Sequence, residues 1–410
     1  MKTEKRLSIS TRAREVPASP IRKLVPLADR AKSEGVKVYH LNIGQPDIET
    51  PRQMIDAMKS FDFTVLAYGR SDGEPALKRE FAKYYQRNGI DLFEDQIIVT
   101  TAGSEAIIFA IAAVTSPGDE VIVFEPFYTN YNGFASILGV RLKPIKTGIE
   151  NGFHLPPVNE ITSAIADKTR AIMICTPNNP TGAIFTNKEM VTLSEIARKY
   201  NLFIISDEVY REFCYGDIEH TSVLQIENID DNAILVDSIS KRFSACGARI
   251  GCVASRNKEV MASIMCMAQA RLCPPIVEQI GTIAALQLPL ESYILGMIEK
   301  FKSRRDTLVK ELSGIEGISF GKPEGAFYIQ AKLPVDDAEH FASWLLTDYR
   351  NKDKETVMVA PGNGFYATEG AGLDEIRIAY VLNEDNLIKA MNCLREGLGI
   401  YKEKYAKLNI

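Results

Sequence analysis

Lys241 stands behind an apolar run (233–236) and two hydroxyls, in Ser238-Ile239-Ser240-Lys241, and eight residues before Arg249. An amine, two hydroxyls and a guanidinium in that order can hold a molecule with an aldehyde at one end and a phosphate at the other. The amine condenses with the aldehyde, and the hydroxyls and guanidinium take the phosphate oxygens. Alone, a lysine after a buried strand is a solvated surface lysine. Three groups upstream argue otherwise.

The segment 101–105, Thr-Ala-Gly-Ser-Glu, follows one apolar run and opens a helical pattern. Small residues let the backbone approach an anion, and the free N–H groups of a helix start point at it. By itself such a segment is an ordinary cap. Asn179 lies in a stiff turn between Cys175 and Gly182, whose prolines and glycine set its side chain at the end of a second run. There its amide N–H can meet a phenolate oxygen. Asp207 ends a third run, in Ser206-Asp-Glu-Val-Tyr210. A carboxylate in that place can keep a proton on a pyridine nitrogen, and Tyr210 can share the phenolate with Asn179. Alone, Asp207 would be a helix cap. Aldehyde, phosphate, pyridine nitrogen and phenolate together describe pyridoxal 5′-phosphate.

The elements that must position these groups have room to form. A chain of 410 residues suffices for roughly two or three domains and a large core. With 46% hydrophobic and 25% charged residues the composition is that of a globular protein, and a net charge of −5 argues against binding nucleic acid through a basic surface. Only the start is basic (Lys2, Lys5, Arg6, Arg12, Arg14, Arg22, Lys23), and without an apolar core it reads as a surface arm, not a secretory signal. No stretch has the apolar length that spans a bilayer. The 7 cysteines form no C-x-x-C pair and the 4 histidines have no ligand spacing. They imply no metal site, and reduced, buried thiols in a cytoplasmic protein.

Between about 95 and 255 short apolar runs alternate with helical patterns. Strands are expected over 97–100, 120–124, 170–175, 202–206, 233–237 and 249–253, and helices over 104–115, 188–200 and 257–271. Runs apolar throughout belong to strands buried on both faces of a mainly parallel sheet, with ligands at their carboxyl ends. This α/β unit is placed at 51–295. Strands over 326–330, 357–360 and 376–380, with helices near 290–312 and 384–404, point to a smaller α+β domain built from 1–50 and 296–410.

In order and spacing these motifs resemble the class I/II aminotransferases, the fold-type I pyridoxal phosphate enzymes, from Asn42-Ile-Gly-Gln-Pro-Asp47 through Tyr68-Gly69 to Arg377. The resemblance implies a mainly parallel seven-stranded sheet between helices. It implies that Lys241 is the Schiff-base lysine and proton carrier, that Asp207 pairs with the pyridine nitrogen, and that Asn179 and Tyr210 meet the 3-oxygen. Tyr128 matches the residue stacked on the ring, while Gly103, Ser104, Ser238, Ser240 and Arg249 match the phosphate ligands. Tyr68 matches a tyrosine that reaches the neighbouring subunit's phosphate, so a homodimer is implied. Arg377 matches the arginine whose planar fork grips the substrate α-carboxylate, with Asn179 and the Gly44 backbone beside it. Alone, Arg377 would be a surface salt bridge. The implied reaction is ping-pong transfer of an amino group from an L-amino acid, aspartate or aromatic, to a 2-oxo acid such as 2-oxoglutarate.

Other readings share these residues. Lyases of the same fold (C–S β-lyases, aminocyclopropane-carboxylate synthases) use the same coenzyme groups. Ser238-x-x-Lys241 also has the S-x-x-K form of serine acyl-transfer enzymes, and Lys146-Thr-Gly148 and Ser206-Asp-Glu208 accompany it. The order is reversed from theirs, however, and Glu208 stands where an asparagine belongs. A ligand-sensing transcription regulator would need a DNA-binding domain ahead of the sheet, where about fifty residues are too few. For a substrate with a second carboxylate, Arg12, Arg14, Arg22 and Lys23 are candidate partners. A lysine that some bacterial aspartate aminotransferases place after the phosphate nest is missing at Ala110-Ile-Ala-Ala113, which weakens an aspartate assignment.

Overall fold

The computed structural model describes residues 7–405. Its largest sheet has seven strands in the order Ile97–Thr100, Gly251–Ala254, Ala233–Ser238, Phe203–Asp207, Thr169–Cys175, Glu120–Glu125, Arg141–Lys146. Gly251–Ala254 is antiparallel to both neighbours and the remaining pairs are parallel. The apolar runs serve two cores at once. Val121, Val123, Ala171, Met173, Ile205, Ile234 and Val236 pack into one cluster. Their alternates Ile122, Phe124, Ile172, Ile174, Ile204, Ala233 and Leu235 pack into another. Side chains alternate across a pleated strand, so a strand covered on both faces has no polar side to show. Each such Val, Leu or Ile contributes roughly 1.5–3 kcal/mol by leaving water.

Arg141–Lys146 has no counterpart among the expected strands. Its sequence, RLKPIK, is charged, mostly half-exposed and carries Pro144, features that only an edge strand tolerates. Other differences are at boundaries. The strand expected from Arg249 starts at Gly251, and the helix expected from Ser104 starts at Ala102. The Asn187–Tyr200 helix begins on a capping box in which Thr186 and Glu189 satisfy each other's backbone N–H groups.

A four-stranded antiparallel sheet follows the order Ala360–Pro361, Glu375–Ala379, Tyr328–Lys332, Ser319–Phe320. The single strand expected over 357–360 is two. Glu355–Met358 pairs in parallel with Lys37–His40, and Ala360–Pro361 turns to pair with Glu375–Ala379. Residues 37–40 thus share a two-stranded sheet with residues 355–358. Leu290–Ser313 and Glu384–Tyr405 pack on each other.

Lys2, Lys5 and Arg6 lie outside the described residues. The thiols are all free; Cys175, Cys252 and Cys393 are buried, Cys214, Cys246 and Cys273 are half-buried, and the expectation of buried thiols is corrected at Cys266, which is exposed. Among the described residues no helix is long and apolar enough to cross a membrane.

Candidate active site

A cavity of about 700 Å³ opens where the parallel strands end. Gly44, Gly103, Ser104, Tyr128, Asn179, Asp207, Tyr210, Ser238, Ser240, Lys241, Arg249 and Arg377 all line it. Tyr68 does not; it is 81% exposed.

One end is built for an anion. The Ala102–Val114 helix starts there, and Ala102 takes a left-handed φ of 61°. Glu105 accepts from the Thr101 N–H at 2.8 Å, while Gly103 and Ser104 present first-turn N–H groups to the cavity. Facing them, Ser238 and Ser240 hydroxyls lie 2.8 Å apart. Arg249, also left-handed at φ 55°, donates once to the Cys246 carbonyl at 3.0 Å and keeps its other N–H groups for a ligand. Gly251 lets the antiparallel strand come this close. A Cβ there would lie 2.7 Å from Ala102 C and 2.9 Å from Gly103 N.

Lys241 sits in the Ile239–Arg242 turn that ends the Ala233–Ser238 strand, and its amine donates to the Gly44 carbonyl at 2.7 Å. Loss of solvent lowers its pKa, and Arg377 and Arg249 lower it further against a raising contribution from Cys246. A larger share of the amine is therefore neutral and nucleophilic. Asp207 is 4% exposed and is pushed up to about 6 by burial, against the hydrogen bonds from Tyr131 and the Val209 N–H. The Tyr131 hydroxyl donates to it at 2.8 Å. No cation bonds it among the described residues, so it is poised to accept one from a ligand.

Arg377 projects from the Glu375–Ala379 strand and is 1% exposed. One Nη donates to Asn179 Oδ1 at 3.0 Å and the other to the Asn42 carbonyl, while Nε has no partner. Burial lowers its pKa. A buried guanidinium without a carboxylate is costly unless an anion arrives. Its bond to Asn179 also orients that amide, leaving Nδ2 as the donor toward the cavity. The Tyr210 hydroxyl is 2.9 Å from that of Tyr328, whose ring lies 4.5 Å from the Arg377 guanidinium. Tyr128 is pushed up to about 12 by burial first and Asp207 next.

Residues 36–394 match the family described as aminotransferase class I and II. The chain belongs to the class I and II aminotransferases. It is 32% identical to an aspartate aminotransferase of Pyrococcus horikoshii over 97% of this chain and 99% of that one. An alanine aminotransferase structure from Pyrococcus furiosus superposes with a TM-score of 0.86 at 32% identity, covering 96% of this chain and 100% of the other. A Thermus thermophilus aspartate aminotransferase mutant gives 0.86 at 27% identity, over 96% and 100%. The protein is thus an aminotransferase of fold type I.

Such aminotransferases generally depend on pyridoxal phosphate, and this cavity fits it. An anion nest, a neutral-leaning amine and a buried carboxylate without a cation stand along one wall. In this aminotransferase the acyl-transfer alternative lacks its geometry, because Ser238 bonds Ser240 and the Ile250 carbonyl while the Lys241 amine bonds Gly44. Sequence reasoning missed Tyr131, Tyr328, Asn42 and Cys246. Tyr131 lies three residues past Tyr128, a helical spacing that was available as a signal; Tyr328 was visible only as part of a strand.

Proposed function

We propose that this aminotransferase moves the amino group of an L-amino acid, aspartate first among the candidates, to a 2-oxo acid such as 2-oxoglutarate by a ping-pong course. Pyridoxal phosphate, when bound, supplies an aldehyde for amine exchange and a protonated ring that draws electrons from the amino acid Cα. Gly103, Ser104, Ser238, Ser240 and Arg249 would take its phosphate, and Asp207 would hold the proton on the ring nitrogen. Asn179 and Tyr210 would donate to its phenolate oxygen, and Tyr128 would cover one ring face. Lys241 would anchor the aldehyde end until the substrate amine replaces it. As a free amine it would take the Cα proton and hold it for return on the same face. Arg377, with Asn179 and the Gly44 backbone, holds the α-carboxylate and so fixes which Cα bond faces Lys241.

One observation carries this reading. Lys241, Asp207 and Arg377 face a single cavity, each lacking the partner that pyridoxal phosphate or an amino acid would supply. A homodimer is part of the proposal, with Tyr68 donated to the partner's site. Support comes from its exposure and that of Phe63, Val65 and Leu66 beside it. We also read 51–295 as the coenzyme-binding unit, and 1–50 with 296–410 as the second. The free thiols favour the cytoplasm.

The relatives include aspartate, alanine and prephenate aminotransferases by name. A half-reaction screen decides among donors: each amino acid is added to holoenzyme and loss of the coenzyme's visible absorbance is followed. A 2-oxo acid that keeps its β-substituent supports transfer, whereas pyruvate with a released thiol or sulfide indicates a lyase. Protein that stays colourless with excess coenzyme, and retains none of it covalently after borohydride trapping, ends the proposal.

A further inference from the structure

We infer that Tyr328 is a positioning residue of the proposed transfer: its hydroxyl donates to Tyr210 and so turns the Tyr210 proton toward the coenzyme's phenolate oxygen. The inference rests on the reading above in which Tyr210 meets that oxygen. Tyr328 opens the Tyr328–Lys332 strand, is 2% exposed and lines the cavity. Its hydroxyl lies 2.9 Å from that of Tyr210, and neither hydroxyl has another hydrogen bond among the described residues. Each phenol carries a single proton. Were Tyr210 to give its own to Tyr328, none would remain for the coenzyme.

The surroundings decide which way that proton points. Strand pairing sets Tyr328 opposite Ala379 and Gln330 opposite Arg377, so Tyr328 and Arg377 are diagonal neighbours on one face. The Arg377 guanidinium lies 4.5 Å from the centre of the Tyr328 ring. Burial raises the pKa of both phenols. At Tyr328 the guanidinium is the largest influence set against burial, whereas at Tyr210 the neighbours, Tyr328 first, add to it. Of two neutral phenols the more acidic one donates, and here that is Tyr328. Tyr210 then accepts on one side and keeps its proton for the cavity. Guanidinium, hydroxyl and hydroxyl follow one another toward the phenolate, each polarising the next.

Both hydroxyls are held in place. A Cβ on Gly44 would fall 1.7 Å from the Tyr328 hydroxyl oxygen, so the Gly44 backbone closes that side. The Tyr210 ring is held edge-on by Phe213, Phe327 and Tyr328, at centroid distances of 6.4, 5.2 and 5.6 Å.

The test is a double-mutant cycle of Tyr328→Phe and Tyr210→Phe in holoenzyme. It is read as the pH midpoint at which the bound coenzyme's visible absorbance changes, which reports a proton on the nitrogen joining Lys241 to the coenzyme. A protonated nitrogen already shares the charge of the neighbouring phenolate. Donation from Tyr210 therefore favours the unprotonated form and lowers the midpoint. Tyr210→Phe should raise it by roughly 1 to 2 units, the worth of a hydrogen bond to a charged oxygen. Tyr328→Phe should raise it by roughly 0.2 to 0.6 unit, the share that polarisation by one further donor contributes. In the Tyr210→Phe background the second substitution should add nothing, because Tyr328 acts through Tyr210. A packing role alone would lower the melting temperature and leave the midpoint where it was. An unchanged midpoint in Tyr328→Phe, or a shift that persists in full without the Tyr210 hydroxyl, overturns the inference. If Tyr210→Phe still moves the midpoint in that case, the reading of Tyr210 stands and only the inference falls; an unchanged midpoint in both variants removes the two together.

Discussion

In the proposed reaction Lys241, Asp207 and Arg377 divide the work by charge state, and each division has a measurable consequence. Lys241→Ala would remove the proposed anchor and proton carrier together, so turnover should fall on the order of 10⁴-fold or more, read as single-turnover loss of coenzyme absorbance. For Asp207 the pH dependence of stability is the sharper test. In coenzyme-free protein its pKa near 6 exceeds the ordinary 3.8, so the folded state binds more protons than the unfolded state between those values. Stability that is present below about pH 4 is therefore lost as pH rises through 6, by roughly 2–3 kcal/mol. Asp207→Asn should melt higher than wild type at pH 7 without coenzyme, and the gap should close below pH 4. Added coenzyme should reverse the order, since only the carboxylate gains the ring's proton. Arg377→Lys keeps the charge but loses the fork, and kcat/KM for every amino acid should drop on the order of 10²-fold.

At the scale of elements, the anion nest depends on how closely one strand approaches a helix start. Gly251→Ala would place a methyl 2.6 Å from the Asp237 carbonyl and 2.7 Å from Ala102 C, all of it backbone. Something must move, and the nearest movable part is the turn that presents Gly103 and Ser104. The expected result is a loss of roughly 1–3 kcal/mol in stability and a weaker hold on the coenzyme, measured by thermal melts and by equilibrium dialysis of coenzyme. Unchanged coenzyme affinity would separate this packing from the phosphate site. The same scale explains Arg141–Lys146, an edge strand whose exposed charges and proline obey the rules for edges and not those for strands in general.

At the scale of the whole molecule the proposal calls for a second subunit. Tyr68 is exposed and away from its own cavity, which is the arrangement expected if it completes a neighbour's site. Complementation tests this directly. Lys241→Ala and Tyr68→Ala homodimers should each be impaired, and mixed dimers should regain activity. One of their two sites would pair an intact lysine from one chain with an intact tyrosine from the other. Absence of recovery in verified mixed dimers would place Tyr68 outside the site.

Local pattern alone determined much of this protein. Continuous apolar runs declared doubly covered strands, since alternation disappears when both faces are buried, and the polar residues that ended those runs proved to be the cavity wall. Family motifs then named Lys241, Asp207, Asn179 and Arg377. Only the tertiary structure decided which groups meet. Arg377 reaches Asn179 across 198 residues of chain, and Tyr131 reaches Asp207 across 76. The physical reason is that such contacts follow from strand order and packing between layers, neither of which leaves a period in the sequence. Arg22 shows the limit most clearly: four arm cations looked equivalent along the chain, and packing brought one of them to the cavity.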